Sequence, residues 1–346
     1  MNEDRGARYH RLRRRATVLS VLADGGWFLA LALTGWGGGL PLVAFVAIMA
    51  IGWELIAFPL TFYKGFLLDR RYGLTAVSFR TWLADEVKGF AIGLAVVEIA
   101  ALALFGSMRF AGNAWWAAAA MLFAGAGVLL SQLVPVVLLP LFYRFRPIER
   151  DELRQRLATL SQRAGVRVLG TFEWGLGEKT SRANAALVGA GFTRRILLSD
   201  TLLQSYSDDE IEVILAHELA HHVHHDLWTG LALETGVVAA ALLIGHVAIT
   251  AAGYGLASVA SLPLLVLAAG AVSLMLTPIG TAWSRRNERR ADRLALSLTG
   301  RHDAFVSAMR RLAAQNLAEP APSRVVRWFF HSHPTIEERI ASARVT

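Results

Sequence analysis

HELAHHVHHD, residues 217–226, places five histidines within nine positions, with one glutamate among them. Histidine is a common metal ligand, and residues four apart share a helix face. His217/His221 and His221/His225 both meet that spacing, so spacing alone does not choose. Glu218 does. In an H-E-x-x-H arrangement the glutamate follows the first ligand and points about 100° around the helix. It reaches a water beside the metal rather than the metal. Only His217 is followed by glutamate, so His217 and His221 are the expected ligands. His222, His224 and His225 read as polar residues at the end of a helix about to enter a membrane.

Working backward, SDDEIEVILA precedes the motif. Ser207 followed by Glu210 is a capping box, so a helix should start near Asp208 and carry the motif mid-helix. Upstream, Leu153, Leu157, Leu160 and Ala164 mark one helix face, with Pro147 at its start and Gly165 at its end. Residues 166–174, 183–189 and 194–200 read as short strands.

The 346 residues contain no cysteine, so any metal must rest on His, Asp or Glu. Hydrophobic residues make up 54% and charged residues 18%, against about 25% charged in soluble domains. Six segments are apolar enough to span a bilayer: 17–36, 40–62, 89–108, 114–134 (running on toward 142), 228–250 and 260–283. The net charge of +8 does not indicate nucleic acid. Its arginines cluster in the N-terminus and in the connections after the second, fourth and sixth spans. By the positive-inside rule that side is the cytoplasm. The basic N-terminus then leads into a retained first span rather than a cleaved signal. The chain divides into a membrane part with four spans (1–142), a polar part ending in the motif (143–226), a spanning hairpin (227–283) and a second polar part (284–346).

A catalytic zinc site wants three protein ligands and an open position. SRRNERRAD (284–292), expected to open a helix after the sixth span, holds Glu288 and Asp292 four apart on one face. Glu288 is the candidate third ligand, and Asp292 a carboxylate that orients a ligand or an arginine. A salt-bridged surface helix is the plainer alternative. In HSHPTIEERI (331–340), Thr335 and Glu338 form another capping box. His333 and Arg339 flank it as candidate donors to a developing oxyanion.

HELAH, NERRAD and SHPTIEERI, in that order, resemble the integral-membrane gluzincin peptidases typified by the type I CAAX prenyl endopeptidase, with the heat-shock membrane proteases as relatives. FPLTFYKGFLLDRRYGLT (58–75), LPLFYRFRPIE (139–149), KTSRANAALVG (179–189), RRILLSDTLL (194–203) and AAQNLAEP (313–320) are similar to family segments in the same order. The resemblance implies one Zn2+ on His217, His221 and Glu288, with Glu218 as general base and Asp292, His333 and Arg339 lining the site. It also implies that substrate lies along an edge strand at Asn184 and Ala185. The implied fold is a mainly α multi-pass membrane protein, its helices ringing a water-filled chamber, with a small α+β zincin-like catalytic domain on the cytoplasmic side. A chamber would relieve the cost of Glu54, Glu98, Glu234 and His246 within spans, and at least two of them are expected to face it. The chain departs from the eukaryotic members in having six spans rather than seven, in the HHVHHD run and in its shorter length.

The expected function is zinc-dependent hydrolysis of peptide bonds in peptides or in lipidated or membrane-associated proteins. The expected setting is a bacterial inner membrane, if the source is bacterial. Clearance of damaged membrane proteins by the same chemistry is the alternative. A transporter or inactive scaffold is the rival class; intramembrane acids suit it, but the chain shows neither an inverted repeat nor a broken-helix pair.

Overall fold

The structure is a computed structural model describing residues 4–189 and 194–344. In chain order the membrane part consists of α1 (Arg5–Thr34), α2 (Leu42–Phe62), the short α3 (Leu68–Arg71), α4 (Phe79–Ala111) and α5 (Trp115–Leu133). β1 (Phe145–Pro147), α6 (Asp151–Arg163), β2 (Gly170–Trp174), β3 (Ala185–Val188), β4 (Arg195–Ser199), α7 (Asp200–Ser205) and α8 (Asp208–Val223) follow. α9 (Asp226–Ala251) and α10 (Leu262–Thr299) return through the apolar region, and α11 (His302–Gln315), α12 (Arg324–Phe330) and α13 (Ile336–Ala343) end the fold.

Among the described residues, five helical stretches are long and apolar enough to cross a membrane. One of them, Phe79–Leu141, is not a single rod. A 3-10 turn at Gly112–Ala114, with Gly112 at φ +52°, reverses the chain, and α4 and α5 pack on each other. These stretches contain six long described helices: α1, α2, α4, α5, α9 and α10. Their outward side chains are apolar and open, Phe110 and Met275 among them, as a lipid-facing surface requires. Inside, Phe45, Val46, Trp115, Ala119 and Ile249 form a buried core. His246 does not depend on a chamber, since Trp115 Nε1 donates to its Nδ1 at 3.0 Å. Glu234 is exposed and Glu54 half-buried, whereas both Glu98 carboxylate oxygens are buried without a hydrogen-bond partner among the described residues.

Several boundaries differ from the sequence expectation. α5 stops at Leu133, and the chain continues through a π turn (Val134–Leu138) and a 3-10 turn (Leu139–Leu141). Pro135 and Pro140 lie in these turns, and prolines cannot donate to an α ladder. Pro147 does not start a helix. It closes β1, paired with Phe172 of β2, and α6 begins four residues later. The helix carrying Glu288 is not a separate element after the sixth span. α10 runs 38 residues from Leu262 to Thr299, and Gly300 at φ +65° caps it.

The sheet order is β1-β2-β4-β3. β2 and β4 are parallel, while β1 and β3 pair antiparallel on the two edges. α6 and the sheet cover one side of α8, and α10 and α11 cover another. α8 is therefore buried nearly all round, from Ile211 through Ala220, as expected of a core helix. The Ser207/Glu210 capping box forms, and Glu210 further accepts from Ser307 Oγ at 2.7 Å and Arg311 Nη1 at 3.0 Å. Leu153, Leu157 and Leu160 of α6 are all buried in this core. Leu157→Ala should cost about 2–5 kcal/mol, seen as a lower melting temperature by tryptophan fluorescence in detergent. An unchanged melting temperature would remove Leu157 from the core.

Candidate metal centre

Two helices meet at the site. α8 presents His217 and His221 one turn apart, and α10 presents Glu288 opposite them. His217 Nε2 lies 3.3 Å from His221 Nε2 and 3.2 Å from Glu288 Oε2, and His221 Nε2 lies 3.4 Å from Glu288 Oε1. These three residues form a group that could hold a metal ion. The spacing fits one ion. Ligand atoms bonded tetrahedrally at about 2.0–2.1 Å stand roughly 3.3 Å from one another.

The far nitrogen of each imidazole meets a carboxylate. His217 Nδ1 lies 2.8 Å from Asp292 Oδ1, and His221 Nδ1 lies 2.8 Å from Asp226 Oδ2. Asp292 is itself clamped by Arg339, whose Nε and Nη2 donate at 2.8 and 2.5 Å. Asp226 pairs with Arg290. His333 reaches in from the C-terminal segment, with Nδ1 2.9 Å from Glu288 Oε2. Arg285 fixes that segment by donating to the carbonyls of Arg327 at 2.9 Å and His331 at 2.6 Å. The structure thus brings together His217, Glu218, His221, Glu288, Asp292, His333 and Arg339.

Asp226 and Arg285 were not singled out from the sequence. Asp226 stands in the opening stretch, five residues after His221, but it belongs to the next helix. His225, in the left-handed conformation at φ +56°, breaks the chain between α8 and α9 and turns Asp226 back toward His221. The expectation for the extra histidines also needs revision. The helix does not run on through them into a membrane span. His222 Nε2 lies 3.0 Å from the Leu187 carbonyl and ties the end of α8 to edge strand β3.

Electrostatics follow from this crowding. Burial opposes charge on His217, but the Asp292 and Glu288 carboxylates outweigh it and hold the imidazole up to about 9. Burial likewise pushes the Glu218 carboxyl up, against the pull of the His217 and His221 rings. The pocket therefore favours added positive charge beside a carboxyl able to exchange a proton.

β3 borders the site. Asn184 O accepts from Ser199 N at 2.9 Å, so its backbone faces β4. By strand alternation the main-chain groups of Ala185 and Leu187 point to the open edge, where the Leu187 carbonyl meets His222.

Comparison with known proteins agrees with this geometry. The model of peptidase family M48 matches residues 147–346. A second model, the CAAX prenyl protease N-terminal region with five membrane helices, matches residues 21–144; here that stretch holds the C-terminal part of α1 and all of α2, α3, α4 and α5. The chain is 30% identical over 310 residues to an uncharacterized metalloprotease, YhfN, of Bacillus subtilis, covering 87% of this chain and 72% of that one. It is also 30% identical over 183 residues to CAAX prenyl protease 1 of Saccharomyces cerevisiae, covering 52% of this chain and 40% of that one. The crystal structure of S. mikatae Ste24p superposes with a TM-score of 0.80 at 21% identity, covering 92% of this chain and 80% of that one, and so shares its fold. Matched by the family model over more than half its length, with a buried His-His-Glu group where that family needs a metal, this chain belongs to peptidase family M48 and is an integral-membrane metalloprotease.

Proposed function

We propose that the chain is a zinc endopeptidase of the CAAX prenyl protease type, with Glu218 as its general base. The single observation that carries this reading is the triangle of His217, His221 and Glu288, each imidazole backed by a carboxylate. An all-nitrogen-and-oxygen set with three protein ligands suits catalytic zinc. When bound, the cation supplies Lewis acidity to water and to the scissile carbonyl.

The residues of the chain do the rest. Asp292 and Asp226 fix the ring orientation of His217 and His221 and keep their Nε2 lone pairs pointed inward. Arg339 holds Asp292 in place. Glu218 takes a proton from the attacking water and returns it to the leaving amine. His333 and Arg339 are positioned to donate to the developing oxyanion. Substrate lies extended along β3, bonded through the main-chain edge at Ala185, with Asn184 anchoring that end of the strand to β4.

The clustered arginines outside the spans support a cytoplasmic site. The substrate class is a peptide or a prenylated membrane-associated protein, in line with the named activity of the yeast relative.

Two results are expected. Glu218→Gln should retain one zinc per chain and lose about 10²–10⁴-fold in turnover, measured on a farnesylated CAAX peptide and its unlipidated twin. Near-normal turnover would remove Glu218 from the chemistry; equal cleavage of the twins by the wild type would indicate a general membrane protease. Asp226→Asn should weaken zinc binding about 10–100-fold in a chelator competition, and wild-type affinity would show that the Asp226–His221 contact is incidental.

A further inference from the structure

A cavity of about 570 Å³ opens between α1, the segment before β3 and the C-terminal residues. Ligand pockets commonly measure about 300–1,000 Å³. His333 and Arg339 of the metal centre form part of its wall, so the cavity is continuous with the site. Its other wall is basic, with Arg13, Arg14 and Arg182.

The charges there do not cancel. Arg14 is spent on Glu319, with Nη2 3.0 Å from Oε1, and His331 also reaches Glu319 at 3.3 Å. Arg13 and Arg182 share a single carboxylate, Asp69 Oδ1, at 3.4 and 3.5 Å. Both guanidinium groups donate to Tyr9 Oη, at 2.5 and 2.8 Å, and Tyr9 in turn donates to Asp69 at 2.6 Å. Asp69 is only 13% exposed, whereas Arg13 and Arg182 are 41% and 31% exposed. The anion lies behind and the cations face the cavity, with one positive charge in excess.

The backbone at Arg182 is held in place. Thr201 Oγ1 donates to the Arg182 carbonyl at 2.7 Å, and Gln315 Nε2 to the Ser181 carbonyl at 2.7 Å. Arg182 stands three residues before Ala185, at the N-terminal end of β3. A peptide added antiparallel to β3, the commoner pairing, runs its C-terminal half toward that end. It leaves the metal centre past His333 and enters the cavity.

We infer that Arg13 and Arg182 form a subsite for the free α-carboxylate of a peptide or protein substrate. This rests on the proposed endopeptidase reading and adds to it the part of the substrate that is recognised. No covalent step is involved. A guanidinium fork matches a carboxylate in shape as well as in charge.

The test uses the full-length, zinc-loaded Glu218→Gln protein in detergent, which separates binding from turnover. A fluorescein-labelled peptide ending in a farnesylated CAAX sequence is compared with its C-terminal amide twin by anisotropy. The acid should bind about tenfold or more tightly than the amide, as a charge-assisted pair implies. Adding Arg182→Gln or Arg13→Gln should shrink that ratio to about threefold or less, with zinc content unchanged. Arg182→Lys should recover part of it. Equal binding of the twins, including no binding of either, overturns the assignment. So does a preference that survives both substitutions. If phosphatidylglycerol vesicles displace both twins equally, the subsite serves a lipid phosphate and the carboxylate assignment fails. Turnover of the same peptides by the wild type reports separately on the protease reading: cleavage of both twins with equal binding sinks only the subsite.

Discussion

The burial of Glu288 constrains the whole arrangement. A carboxylate removed from water is costly unless positive charge meets it. Around it stand three imidazoles, those of His217, His221 and His333, and behind the first two rings stand two more carboxylates, Asp292 and Asp226. Among the described residues, two guanidinium groups, Arg339 and Arg290, answer these three acids directly. The shortfall falls on the imidazoles, which is why His217 is held up to about 9. A divalent cation at the His217–His221–Glu288 triangle would supply the missing charge.

Rigid elements hold this balance in place. α8 is sheathed on several sides, so His217 and His221 cannot drift relative to the sheet. α10 is one helix from its apolar N-terminal half to Glu288 and Asp292. The proposed third ligand is therefore carried by the same rod that runs through the apolar region, and no hinge separates the two. The C-terminal segment is fastened to this rod twice, by Arg285 to its carbonyls and by Arg339 to Asp292. Such double fastening is what a catalytic constellation needs to keep sub-ångström geometry.

The basic N-terminus serves two purposes. Its charge suits a cytoplasmic topology, yet it is also folded structure. Tyr9 is almost completely buried, His10 meets the Leu317 carbonyl at 2.9 Å, and Arg14 pairs with Glu319. Arg13 joins Arg182 over Asp69 in the wall of the cavity beside the metal centre. A stretch legible as a basic flank of the first span thus also contributes to the polar half of the protein.

What the sequence determined by itself was whatever depends on neighbours within a turn or two of chain. The H-E-x-x-H pair shares a face because helices repeat every 3.6 residues. Both capping boxes formed because their partners are three residues apart. Gly300 ended α10 because a residue without Cβ tolerates positive φ. The long apolar helices were visible because each is one long apolar run. Glu288 and Asp292 could be picked out by their spacing and by family likeness, although their helix was wrongly separated from the preceding span. Tertiary structure alone decided the rest. Asp226 reaches His221 only because His225 turns the chain back, and no spacing rule marks that. β1 exists because β2 lies beside it, and three residues carry too little pattern to declare a strand. Arg182 and Arg13 are 169 positions apart in number, yet they meet over one carboxylate. Contacts of that kind depend on how packed elements are docked, and docking is set by the summed burial of many side chains rather than by any local sequence.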